Sequence, residues 1–216
     1  GAPCFRGILK PEELSPTGLQ VPLPEDAQKV ESEQEFRFGY LVRLAEEAVM
    51  KGHAKGSYSA THFRYPVVYG PRQITPTIWT VMRRFIDGRS HMVLPDGGLT
   101  LTTRGYSENV AHSVLLAANQ PETAAGQIYN CGDEHQLTLA QWVEMIAKTM
   151  DSKIDIISVP DEYAYPAREL MMFYGPSNHQ LFDLYKLKSE LGYRDVVSPL
   201  DAIERTVHWY RENPPH

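Results

Sequence analysis

Phe63-Arg64-Tyr65-Pro66-Val67-Val68-Tyr69-Gly70-Pro71-Arg72-Gln73 is the stretch from which the rest of this 216-residue chain is read. The run from Ser59 to Tyr69 is rich in aromatic and β-branched residues and stops at Gly70-Pro71, which predicts a strand running into a turn. After it, Thr75-Pro76 offers a cap residue with proline at the first helical position. Ile78, Met82, Phe85 and Ile86 then share one stripe, and Asp87-Gly88 stops the helix. Met92 to Leu94 and Leu99 to Thr103 flank Pro95-Asp96-Gly97-Gly98 and read as two short strands around a turn. On the amino side, Phe38, Leu41, Val42, Ala45 and Val49 recur at helical spacing from about Glu33 to Lys51, before Gly52. Phe36, Tyr40 and Leu44 occupy a neighbouring face, so the first half of this helix is expected to be buried on more than one side. Gly1 to about Glu31, with Pro11, Pro16, Pro22 and Pro24, reads as a long surface loop.

Toward the carboxyl end, Ser107 caps a helix carrying Val110, Val114 and Leu115 that ends near Asn119-Gln120-Pro121, and Gln127 to Asn130 is a strand. Thr138 and Gln141 form a capping box ahead of Leu139, Val143, Ile146 and Met150. Lys153 to Val159 alternates like a strand. Asp161 to Met172 reads as a helix kinked or started by Pro166, and Tyr185 to Leu191 as a short helix before Gly192. Ser198-Pro199 opens a last helix with Leu200, Ile203, Val207 and Tyr210 in register. Helices alternating with strands predict the α/β class, with a sheet at least partly parallel and helices on both faces.

Composition narrows the function classes. With 21 Lys+Arg against 27 Asp+Glu, net −6, and 42% apolar residues, the chain has the make-up of one soluble domain that needs no staples. The absence of a basic block argues against nucleic acid or a membrane surface as partner. Cys4 and Cys131 have no CxxC spacing, so a reduced, cytoplasmic setting is expected. No apolar run approaches the roughly 20 residues of a membrane span. Gly1-Ala2-Pro3-Cys4 lacks an initiator Met and reads as a tag scar, a processed end or an interior point of a longer protein. The eight histidines show no metal-ligand spacing, so no metal is expected, and Asp133-Glu134 after Gly132 reads as a solvated turn. GxSxG, HExxH, P-loop and GxGxxG motifs are all missing.

The opening stretch acquires company elsewhere in the chain. Phe38-Gly39 leads into Arg43-Leu44-Ala45-Glu46-Glu47, Ser107-Glu108-Asn109-Val110-Ala111 opens a helix, and Gln127-Ile128-Tyr129-Asn130-Cys131-Gly132 and Leu191-Gly192-Tyr193 follow in order. This ordered set resembles the extended short-chain dehydrogenase/reductase family, the NAD-dependent epimerase/dehydratases. The resemblance implies the later part of a Rossmann-like parallel sheet with flanking helices in residues 1–132, and mainly a small carboxy-terminal substrate lobe in 133–216.

It also implies a Tyr-x-x-x-Lys pair on the helix at Glu33 to Lys51, where one helical turn sets the ammonium beside the phenol and lowers its pKa. The matching positions hold Phe38 and Val42, which transfer no proton, and none of the 12 tyrosines has Lys four residues later. Tyr40 is left as a displaced acid or a packed aromatic. The Gly-rich loop that grips the pyrophosphate precedes this part of the family fold and does not occur in this sequence. The nicotinamide end of NAD or NADP would be lined by Pro66, Val67 and Val68, yet the chain alone is not expected to bind the cofactor. The family's diphosphate-holding Asn and Arg fall on Val67 and Thr102, with Arg104 on the same strand face as a substitute. Tyr69, Arg72 and Arg104 are therefore the candidate substrate contacts. The expected function is NAD(P)-dependent epimerase, dehydratase or reductase-like chemistry on a small polar or sugar-like substrate by the intact protein, this chain alone being inactive. The alternative is a non-catalytic binding or interaction module. A homodimer through the helix at Phe36 to Val49, or a partner supplying the amino-terminal half, is expected.

Overall fold

Pro66 cuts the aromatic run in two, because a residue without an N–H cannot continue a ladder in the middle of a strand. Strand β1 (His62–Arg64) pairs parallel with β5 (Ile128–Asn130), whereas β2 (Val67–Tyr69) pairs parallel with β4 (Arg104–Tyr106). A third parallel pair joins β3 (His91–Pro95) to β6 (Asp155–Val159). The computed structural model describes residues 2–8, 10–164 and 178–215. Parallel partners need long crossovers, and helices α2 (Thr77–Ile86), α3 (Ser107–Asn119), α4 (Pro121–Ala124) and α5 (Leu139–Thr149) lie within them. Helices α6 (Tyr185–Leu191) and α7 (Pro199–Glu212) follow. The class is α/β, with parallel strands and flanking helices as expected.

The Met92–Leu94 and Leu99–Thr103 hairpin does not form. Asp96, Gly97 and Gly98 all have positive φ (46°, 68° and 71°), and they steer the chain away from β3 instead of back along it. Leu99 ends up exposed, and the strand begins only at Arg104. The expected helix caps are met at two sites: the Thr138–Gln141 box, with bonds of 3.1 and 2.9 Å, and Ser198, which accepts from the Asp201 N–H at 3.2 Å. At the Asp161–Met172 segment the structure shows a single tight turn over Asp161–Tyr163, and 165–172 lie outside the described residues.

The main core gathers α2, α5 and α7 around Tyr69, Met92, Leu94, Tyr106 and Trp142. The amino-terminal segment corrects its reading as a surface loop. Phe5, Ile8 and Leu23 bury themselves with Phe182 and Leu184 in a second cluster, and Leu23 exchanges backbone hydrogen bonds with Leu181 and Asp183 at 2.6 and 2.8 Å. These apolar residues are too far apart in sequence to show a period; only the distant 181–184 segment gives them a partner.

Helix α1 (Glu33–Ala54), capped by Ser32 on the Glu35 N–H at 3.3 Å, departs from expectation in the other direction. Only Gly39 and Glu46 are buried along it, and Phe38 (54% exposed), Leu41 (44%), Leu44 and Val49 stand at the surface. Its main packing among the described residues is against the Ala2–Cys4 turn, so its apolar faces have no second layer above them. No helix among the described residues is long and apolar enough to cross a membrane.

Candidate functional site

The carboxyl end of β2 opens onto a cavity of about 540 Å3, whose walls include Phe38, Pro66, Val67, Val68, Arg72 and Ser107. Gly70, at φ 137°, makes the turn that lets the wall bend, and a side chain there would strike the Ser107 hydroxyl. Arg72 follows in the left-handed region, at φ 64°, and its exposed side chain stands at the rim. It is the one cation among the described lining residues, the rest of the surface being largely aromatic, proline and aliphatic.

The sequence-derived candidates divide between this cavity and the interior. Phe38, Pro66, Val67, Val68 and Arg72 come together in it. Val42, one turn along α1, does not line it, nor does Tyr40, whose ring lies 5.7 Å from the Arg43 guanidinium. Tyr40 is half-buried beside Arg43, and its ring stands outside the cavity. Tyr69 reaches the cavity wall but is 1% exposed, its ring set edge-on to Trp142 at 4.7 Å and tilted on Tyr106 at 5.5 Å. Stacking on a ligand is corrected to core packing. Arg104 does not join Arg72: it lies over the Trp142 ring at 4.6 Å, outside the cavity.

Two polar clusters escaped the sequence reading. Glu46 on α1 is 1% exposed and accepts from Arg64 Nε and Nη2 at 2.9 Å each and from Lys29 Nζ at 2.7 Å. Burial would raise its carboxyl, but the two cations overcome that and hold it at about 2. Asp133, read as a solvated turn, is 3% exposed; its Oδ1 accepts the Tyr106 N–H at 2.9 Å and Asn109 Nδ2 at 2.8 Å. Burial pushes it up to about 6 despite those donors. Asn109 also accepts the Val196 and Val197 N–H groups at 3.0 Å, joining α3 to the segment that leads into α7. No sequence spacing announces either cluster, because the partners come from different elements. Among the described residues, no three His, Cys, Asp or Glu side chains converge as a metal site.

The model of the NAD dependent epimerase/dehydratase family matches residues 16–132, more than half of the chain. UDP-N-acetyl-alpha-D-glucosaminuronate decarboxylase of Bacillus cytotoxicus is 26% identical over 197 residues, covering 88% of this chain and 59% of the relative. A dTDP-glucose 4,6-dehydratase of Actinoplanes is 28% identical over 165 residues, 73% of this chain and 47% of the relative. Among solved structures, UDP-glucose 4-epimerase of Thermotoga maritima with UDP-glucose superposes with a TM-score of 0.70 at 19% identity, covering 98% of this chain and 62% of that one. UDP-glucuronic acid 4-epimerase of Bacillus cereus with UDP-glucuronic acid and NAD gives 0.71 at 16%, covering 91% and 58%. Those likenesses establish the fold, a Rossmann-type layer, and the chain spans about half to three fifths of its relatives' length. On the family match, the chain belongs to the NAD-dependent epimerase/dehydratase family.

Proposed function

We propose that this chain supplies the nicotinamide-end wall and the substrate-facing part of an NAD(P)-dependent protein that acts on a small polar or sugar-like substrate. In this reading residues 1–132 form the later part of the Rossmann-like layer and 133–216 mainly the substrate lobe. Family membership supports it, together with the relatives' printed sugar-nucleotide chemistries. The observation that carries it is the cavity at the end of β2. Phe38, Pro66, Val67 and Val68 give it an apolar wall suited to one face of a flat ring. The fit stops there. The sequence has no glycine-rich phosphate cradle, and the positions of the proton-donating dyad hold Phe38 and Val42. No hydride or proton step is therefore assigned to these residues.

The same Phe38 favours a second reading, a binding or interaction module without redox chemistry. One measurement tests the missing cradle, and a second separates the two readings. Titration of the chain with NADH, followed by cofactor fluorescence, is expected to show no micromolar binding; micromolar affinity would remove the need for the cradle. Phe38→Tyr with Val42→Lys rebuilds the dyad. In full-length protein it is expected to create oxidoreductase activity toward a bound ligand, and its failure to do so supports the non-catalytic module.

A further inference from the structure

The segment 71–76, between β2 and α2, is a thin wall with a cavity on each side. Arg72, Gln73 and Ile74 line the cavity at the end of β2, and they also line a second one of about 530 Å3. The second cavity lies where the amino end of α2 meets the carboxyl end of α7, and Trp209, Tyr210 and Glu212 face the segment across it.

Three of its lining residues find no partner in the protein. Tyr210 is 1% exposed, yet among the described residues its O–H has no acceptor. The Gln73 N–H that faces the phenol is itself a donor, and it bonds to the Gly70 carbonyl at 3.3 Å. Gln73 Oε1 is buried as well and has no donor among the described residues. Ile74 is 100% exposed, whereas an aliphatic side chain of its size is stabilised by leaving water. One cavity thus holds a spare donor, a spare acceptor and an uncovered apolar side chain.

A peptide group complements the first two, because its carbonyl takes the Tyr210 proton while a neighbouring N–H serves Gln73 Oε1. An aliphatic side chain on the same segment covers Ile74 and the half-buried Trp209 ring, which stands edge-on to Tyr210 at 4.9 Å. The rim balances exposed Arg72 against exposed Glu212, so it matches a segment of low net charge and not a polyanion. Every residue of 71–76 is half-buried or exposed, so the wall can yield enough to uncover the two buried atoms.

We infer that the cavity between 71–76 and α7 is a docking site for a short extended peptide segment of a partner protein. One aliphatic side chain of that segment seats against Ile74 and Trp209, and its backbone is held between Tyr210 Oη and Gln73 Oε1. Because three residues line both cavities, a peptide here presses on the wall of the cavity at the end of β2. The site stands whether or not the chain carries redox chemistry.

The test is a titration of the full chain with the blocked tripeptide N-acetyl-alanyl-leucyl-alanine N-methylamide. The readout is the indole nitrogen–proton resonance of Trp209, assigned by its loss in Trp209→Phe. A saturable shift is expected at millimolar peptide. The analogue with an ester oxygen in place of the leucyl N–H keeps the side chain and loses the donor, and is expected to bind about fivefold more weakly. Tyr210→Phe removes only an unpartnered hydroxyl, so it is expected to keep its melting temperature and to weaken binding about fivefold. Ile74→Asp, at a wholly exposed position, is expected to fold equally well and to weaken binding at least as much. Inorganic phosphate is expected to leave the resonance still. A resonance unmoved by the peptide, equal affinity for the ester, or unchanged affinity in either folded variant overturns the inference. The probes contain no cofactor, so a failed dyad reconstruction leaves this result intact.

Discussion

Glu46 on α1 and Arg64 on β1 share two hydrogen bonds of 2.9 Å, and both side chains are 1% exposed. Arg64 also donates to the Glu25 carbonyl at 2.6 Å and lies 4.8 Å over the Phe5 ring, so one buried pair ties the helix, the strand and the amino-terminal segment together. Removing one member leaves the other charge stranded, which commonly costs about 3–5 kcal/mol. Glu46→Ala is expected to lower unfolding free energy by about that amount, measured by denaturant titration. The pH dependence has a definite sign. Because the folded carboxyl is held at about 2, against an ordinary value of 4.5, its contribution is complete above 4.5 and is lost as the pH falls toward 2.

Asp133 works in the opposite sense. Its folded value of about 6 lies above the ordinary 3.8, so the folded state binds the extra proton between those values and stability falls as the pH rises through that window. The loss on ionisation is on the order of 3 kcal/mol. Asp133→Asn keeps an acceptor for Tyr106 and is expected to flatten the slope of thermal stability between pH 4 and 6, read by calorimetry across that range. An unchanged slope would show that the carboxyl is not the titrating group.

Gly39 is the close-approach point of α1. A Cβ there would collide with the Pro3 carbonyl oxygen and press on the Phe36 ring and Val30. Since the obstacle is backbone, Gly39→Ala is expected to destabilise by about 1–3 kcal/mol despite alanine's better helix propensity. Equal or greater thermal stability of the variant would refute this packing.

The exposed apolar residues of α1 predict self-association. Leu41 and Leu44 are 44% and 39% exposed and lie about one turn apart on one side of the helix. We expect the chain to form a dimer in light scattering, and Leu41→Glu with Leu44→Glu to shift it to monomer at the same concentration. A wild-type monomer would leave this face unpartnered.

The local signals were legible where they rest on nearest neighbours. The Thr138–Gln141 box, the Ser198-Pro199 start and the boundaries of Tyr185–Leu191 follow from short-range hydrogen bonds and from Gly192, which takes φ 69° beyond the last turn. The family, too, was legible, because its motifs are short runs in a kept order. The stretch 92–103 is ambiguous in sequence, since two apolar runs around a glycine turn fit either a return strand or a departure. The choice fell to three residues of positive φ and to β6, some 60 residues away in sequence.

Residue types and their local order were enough to establish the α/β class and the positions of most helices, because capping, turn residues and apolar spacing act between near neighbours in the chain. Which side of each element met water was settled by long-range packing. Burial depends on what lies opposite in space, so the same apolar spacing left α1 open, gave the amino-terminal segment a core, and put the Asp133 carboxyl in the interior, where a residue read as part of a surface turn had no need of partners.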